Sequence, residues 1–173
     1  MTWDNKKPDH RFRIITLRER RVHMSVGEYC NREVTVCSPD TSISEAARLM
    51  RQTHVGDLIV IEETGPGNRP IGIVTDRDLV IEVLALDIDP DVLTVGDIMS
   101  TQPVTARENE DMLGVLARMR RAGVRRVPVV DEEDVLIGLI TLDDMLELFH
   151  EGLDDMMWLI RNEIEHEQQE RPD

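Results

Sequence analysis

The chain has 173 residues, room for one or two ordinary domains, and 40% of them are apolar, enough for a core. Its 35 acids against 20 bases give a net charge of -15, a field that repels nucleic-acid phosphates and anionic lipid alike. Aromatics are 3%, no apolar run approaches the ~18 residues of a membrane span, Met1 to Arg21 lacks the apolar stretch of a secretory signal, and Cys30 and Cys37 cannot make a disulfide framework. A soluble, reduced, cytoplasmic protein without nucleic-acid or membrane partners is expected.

Residues 1–23 form a basic arm, with Lys6, Lys7, Arg11, Arg13, Arg18, Arg20 and Arg21 around Phe12, Ile14, Ile15 and Leu17. Such an arm is expected to pair with the acidic tail or with another copy. A first unit, 24–86, opens with an extended piece at Val34–Cys37. A helix follows, in which Ser42 and Glu45 have capping-box spacing and Ile43, Ala46, Ala47 and Met50 share one face. Two strands, Leu58–Ile61 and Ile71–Val74, flank a turn-rich loop at Glu62–Pro70, and a second helix starts at Asp76. A second unit, 87–150, repeats the order. It has an extended piece at Val104–Ala106, a helix with Met112, Val115, Leu116 and Met119 on one face, strands Val127–Val130 and Leu136–Ile140, and a helix from Leu142. The strands are almost continuously apolar, which predicts burial on both faces.

The two units are copies. Val26-Gly27-Glu28 matches Val95-Gly96-Asp97, and Val55–Ile61 matches Val124–Val130, both at an offset of 69. Gly72-Ile73-Val74-Thr75 matches Gly138-Leu139-Ile140-Thr141 at 66, the change falling in polar loop sequence. One unit of about 60 residues buries too little alone. The fold class expected is therefore α/β (α+β), two tandem repeats packed about a pseudo-twofold axis, with clefts in related pairs between them. Residues 151–173 extend it. Leu146, Phe149, Leu153, Met156 and Ile160, widened by Met145, Met157 and Trp158, make a long amphipathic helix with an acidic outer face, expected to pack on the module or on a partner copy.

Gly72-Ile73-Val74-Thr75-Asp76-Arg77-Asp78 and Gly138-Leu139-Ile140-Thr141-Leu142-Asp143-Asp144 resemble the Gly-h-h-Ser/Thr-x-x-Asp signature, where h is apolar, of the tandem CBS-domain pair, or Bateman module. Val95–Met99 and Val124–Asp131 support the resemblance, which covers about Met24 to Glu147. It implies a non-catalytic regulatory module that binds AMP, ADP, ATP or S-adenosylmethionine between the repeats. No further cofactor is implied beyond Mg²⁺ accompanying ATP. It implies flat homodimers too, and a protein target that reads the changed shape. In 173 residues no room is expected for a fused enzyme or channel.

The residue chemistry agrees. Thr75 and Thr141 sit where a strand passes into a helix, with free N–H groups and a hydroxyl suited to phosphate. The carboxylates of Asp78 and Asp144 suit the vicinal hydroxyls of a ribose. Gly72 and Gly138 would let a flat base approach the backbone, and Val36, Val55, Leu58 and Ile71 would cover its faces. Arg77, Arg125 and Arg126 would neutralise ligand phosphates; Arg118, Arg120, Arg121, Arg125 and Arg126 are the densest basic cluster of the chain. Two plainer readings stand beside these. Thr-x-x-Asp is also a helix cap, and the arginines could be a solvated face paired with Asp131, Glu132 and Glu133. The alternative function is a constitutive oligomeric scaffold with vestigial clefts. The five histidines lack metal-ligand spacing, and the aspartates fall in separate repeats, which disfavours hydrolysis.

Overall fold

The computed structural model describes residues 24–170; the basic arm, 1–23, and the last three residues lie outside the described residues. Among the described residues there are six α-helices and seven strands. The first half runs α1 (Val26–Tyr29), β1 (Val36–Cys37), α2 (Ile43–Thr53), β2 (Asp57–Glu63), β3 (Asn68–Thr75) and α3 (Asp76–Asp78), which continues as a π turn over Leu79–Val83 and a 3-10 turn over Leu84–Leu86. The second half runs α4 (Val95–Ile98), β4 (Ser100–Thr101), β5 (Ala106–Arg107), α5 (Met112–Ala122), β6 (Arg126–Val130), β7 (Leu136–Thr141) and α6 (Leu142–Glu170). In each half a short strand pairs parallel to the first strand of an antiparallel hairpin, β1-β2-β3 and β5-β6-β7. The β2–β3 hairpin is longer than the alternation of apolar residues implied. The ladder passes a bulge at Val60/Ile61 and continues to Glu63↔Asn68, so polar Glu62, Glu63 and Arg69 are strand residues. The turn shrinks to a loop closed by Thr64 and Gly67.

Burial on both faces is realised. Leu58, Ile59 and Val60 are all fully enclosed, as are Val127 and Val129. Leu58, Val60 and Val74 fill a first core with Ile43, Ala46 and Met50 of α2, while Val127, Val129 and Ile140 fill a second with Met112, Val115 and Met119 of α5. Strand alternation turns Ile59 to the other face of its sheet.

The cores do not follow the chain. Val26 of α1 and Cys30 belong to the second core, and Val95 of α4 belongs to the first. The segment that precedes each hairpin unit is built into the opposite one. Val26 N donates to Glu110 O, Gly27 N to Glu108 O, and Met112 N to Met24 O. At offset 69, Val95 N donates to Thr41 O, Gly96 N to Pro39 O, and Ile43 N to Leu93 O. Asn31 exchanges backbone hydrogen bonds with Leu139, and Ser100 pairs with Ile73 at the equivalent place. These duplicated bonds define the pseudo-twofold axis.

The copies diverge at one backbone acceptor. Ile59 N donates to Thr35 O at 3.1 Å. Its equivalent, Pro128, has no N–H to offer Thr105 O. Arg118 replaces it: Nη1 donates to Thr105 O at 2.9 Å, while Nη2 pairs with Glu110, whose other oxygen accepts from Arg107 N. The position equivalent to Arg118 is Leu49, where no replacement is needed. Arg118→Leu is expected to cost about 1–3 kcal/mol, since it strands a half-buried carbonyl and carboxylate. Adding Pro128→Ile to that variant should recover part of the loss, measured by urea unfolding as a double-mutant cycle.

Candidate functional site

Both strand–helix turns are built identically. Thr75 N donates to Asp78 Oδ2 at 2.8 Å and Thr75 Oγ1 to the same oxygen at 2.7 Å, while Asp78 N donates back to Thr75 Oγ1 at 3.2 Å. Thr141 and Asp144 repeat all three bonds at the same lengths. The capping box is therefore present in both halves. It fixes what the pair can offer a ligand. Each threonine hydroxyl has its proton on its own aspartate, so it presents a lone pair and no donor to a phosphate. Each aspartate keeps Oδ1 outside these bonds, also an acceptor. Two acceptors suit hydroxyl donors, as in a sugar diol.

The strand ends that carry these turns converge on the axis. Asp57 pairs with Thr75 across β2–β3, and Arg126 with Thr141 across β6–β7. Asp57 and Arg126 occupy equivalent positions of the two copies and form an ion pair with each other, their side chains 14% and 31% exposed. Burial pushes the Asp57 carboxyl up, the Arg126 guanidinium pulls it down, and the nearby Asp76 carboxylate pushes it up; the net direction is up.

Other expected residues are placed as follows. Arg126 is engaged by Asp57. Arg125 lies 3.6 Å from Asp143 with both side chains largely in solvent, a weak pair. Arg77 is exposed beside Asp76, whose Oδ1 accepts its backbone N–H. Gly72 and Gly138 do lie at close approaches, but protein occupies them. A Cβ at Gly72 would stand 2.5 Å from Met99 Sδ and 2.9 Å from Ser100 O, and one at Gly138 would stand 2.5 Å from Cys30 Sγ and 2.9 Å from Asn31 O. The crossing segment of the opposite half, not a base, needs the missing side chain. Leu58 points wholly into the first core, and Val55 packs against it. Val36 and Ile71 line cavities at the far end of the strands from Thr75.

One such cavity, about 650 Å³, lies between the halves, with Arg69, Pro70 and Ile71 on one side and Thr105, Val130 and Asp134 on the other. A cavity of about 430 Å³ beside Val36–Pro39 and Ile61–Glu63 has its counterpart, about 360 Å³, beside Arg107–Asn109 and Val130–Glu132. None of these is lined by the four Thr and Asp side chains. Asp57 was the residue that sequence reasoning missed. Its signal was available, since an acid and a base at equivalent positions of a twofold repeat can meet on the axis. Both cysteines are buried, and burial pushes the Cys37 thiol up to about 11, away from nucleophilic use. Among the described residues no group of His, Cys, Asp and Glu could hold a metal ion, and no helix is long and apolar enough to cross a membrane.

The ion pair makes two predictions by urea midpoint. Asp57→Arg and Arg126→Asp should each destabilise by about 1–3 kcal/mol, and the double swap should recover most of it. Arg126→Met leaves the Asp57 carboxyl buried without its counter-ion and pushes it higher still. A carboxyl raised on folding costs stability above its folded pKa and none below its unfolded value. The deficit of that variant should therefore shrink as pH falls from 7 toward 4.

Known proteins share this build. A family model for the CBS domain matches residues 26–85 and 95–151. An uncharacterized Methanopyrus kandleri protein, MK0525, is 37% identical over 125 residues, which span 72% of this chain and 62% of that relative. The crystal structure of the CBS domain pair of protein MJ0100, in complex with 5-methylthioadenosine and S-adenosyl-L-methionine, superposes with TM-score 0.66 at 26% identity, covering 75% of this chain and 98% of that one. A hexameric CBS-CP12 protein from bloom-forming cyanobacteria superposes with TM-score 0.65 at 26% identity, covering 72% and 67%. With two family matches over the duplicated halves and a fold that superposes on a solved CBS domain pair, the chain belongs to the CBS-domain family and carries two such domains in tandem.

Proposed function

We propose that the protein is a regulatory module that binds an adenosine-type ligand between its two repeats and passes the change in shape to a protein target. The observation that carries this reading is the pair of identical Thr-Asp turns, each presenting a carboxylate oxygen beside a hydroxyl lone pair next to the pseudo-twofold axis. A ribose supplies the matching donors from two adjacent hydroxyls. In this reading Val36 and Ile71, which line a cavity beside the strands, offer apolar surface to the base.

The same geometry ranks the ligands. The threonine protons are committed, and Arg126 and Arg118 are held by Asp57 and Glu110. Asp57 and Asp76 add negative charge beside the turn of the first half. A free triphosphate meets acceptors and carboxylates there, with exposed Arg77 and Arg125 to offset them. An uncharged or cationic nucleoside, such as the 5-methylthioadenosine or S-adenosylmethionine bound by the MJ0100 pair, fits better. ATP with Mg²⁺ ranks below both.

A second copy is the proposed structural partner. Val80, Ile81 and Leu84 on the helical run after β3, Leu146 on the corresponding α6, and Leu113 on α5 are large apolar side chains left exposed. Val80 and Leu146 are equivalent positions at offset 66, so a second copy can cover both with one symmetric face. The second reading is a constitutive scaffold. It is favoured by the completed capping boxes, which satisfy Thr75 and Asp78 without a ligand.

Thermal unfolding with S-adenosylmethionine, 5-methylthioadenosine, AMP and ATP separates the two. At about 100 Kd a ligand adds about 2.7 kcal/mol. The nucleosides should raise the Tm more than ATP does, and Asp78→Asn or Asp144→Asn, which keep the cap acceptor, should weaken binding about tenfold. No shift with any of the four would leave the scaffold reading.

A further inference from the structure

The two strand–helix turns are alike in their capping bonds and unlike in the charges beside them. Near Thr75 the chain places Gly56, Asp57 and Asp76; at the equivalent positions near Thr141 stand Arg125, Arg126 and Leu142. A Cβ built on Gly56 would lie 3.2 Å from Asp76 Oδ2, so the Asp76 carboxylate lies over that glycine, next in sequence to Asp57. Cross-strand neighbours share one face of a sheet. Asp57 therefore stands on the face of Thr75, its register partner, and Arg126 crosses from its own register partner, Thr141, to reach it. The second half thus delivers a guanidinium to the turn of the first.

Thr75 Oγ1 and Asp78 Oδ1 are acceptors suited to sugar hydroxyls, and a guanidinium is the fork that best matches a phosphate. Acceptors for a diol beside an arginine are what a nucleoside phosphate needs. Here an anion of the protein already stands in the phosphate's place. Among the described residues Asp57 is the only ion-pair partner of Arg126. The match is incomplete, since Arg126 Nη1, the atom that faces Asp57, is enclosed yet makes no hydrogen bond of good geometry. Arg126 is the more exposed of the two, so an anion from solvent can approach it. Taking Arg126 away would leave Asp57 buried without a counter-ion, beside a second carboxylate, Asp76. An unpaired buried charge is costly.

We infer that Asp57 is a built-in anion that holds the phosphate-binding side of Arg126 and makes the first-half turn select nucleosides over nucleoside phosphates. This selectivity belongs to the adenosine-type site proposed above and rests on that reading. A ligand phosphate has to displace Asp57 to reach Arg126, and a neutral 5′ substituent does not. Adenosine and AMP differ by the phosphate alone, so the ratio of their Kd values, measured by calorimetry on the full chain, reads the effect. Asp57→Asn keeps the size of the side chain and removes the competing charge. It should improve AMP relative to adenosine about tenfold, the worth of one charge-assisted hydrogen bond. Asp57→Asn combined with Arg126→Met should lose that gain, because it runs through the guanidinium. A pair that serves the fold alone would lower the urea midpoint of Asp57→Asn and leave the ratio where it was. That result overturns the inference and leaves the adenosine-type site standing. A gain that persists in the double variant overturns it too, since net charge and not Arg126 would be its source. If neither ligand binds the unchanged protein or Asp57→Asn, the adenosine-type site is itself refuted and the inference falls with it.

Discussion

The structure depends on one exchange. Each half of the duplicated chain lends the segment before its own hairpin to the core of the other half, through Val26 and Cys30 in one direction and Val95 and Met99 in the other. Neither core is complete with the residues of one repeat, so the repeats cannot separate without opening both cores. The glycines of the signature follow from this exchange. At Gly72 and Gly138 the crossing segment runs against the strand so closely that a methyl group has no space. Half of the Gly-h-h-Thr-x-x-Asp pattern thus serves the architecture, and the other half is left to shape a site.

That site sits where the exchange puts it. Because equivalent strands meet at the axis, equivalent residues meet there, and Asp57 finds Arg126. Two of the five arginines that give the second half its basic character are spent on the fold. Arg118 stands in for the hydrogen bond that Pro128 cannot make, and Arg126 answers a half-buried acid. The field left around the turns is that of a protein with net charge -15, and on the proposed reading it favours a neutral or cationic nucleoside over a polyphosphate.

Much of this could be read from the sequence for a physical reason. Duplication doubles every weak signal, so the helices from Ile43 and Met112, the hairpins and the two Thr-Asp turns stood out as pairs. The exchange could not be read in the same way, since Val26-Gly27-Glu28 and Val95-Gly96-Asp97 repeat faithfully whichever core they join. Leu58 and Ile71 were legible as apolar strand residues, but alternation alone does not say which face meets the core and which a cavity. The roles of the arginines were hidden for a related reason. Ion pairing across an axis is a property of register, and register appears only when Asp57↔Thr75 and Arg126↔Thr141 are set side by side.

The exchange is tested most directly by native-state hydrogen exchange on a protein in which one crossing is damaged. In Gly138→Ala the added methyl collides with Cys30 and Asn31, at the second core. If the cores are one cooperative body, the slowest amides of β2 and β3 in the first half should lose as much protection as those of β6 and β7. Loss confined to β6 and β7, with the first half opening at its original free energy, would contradict the account.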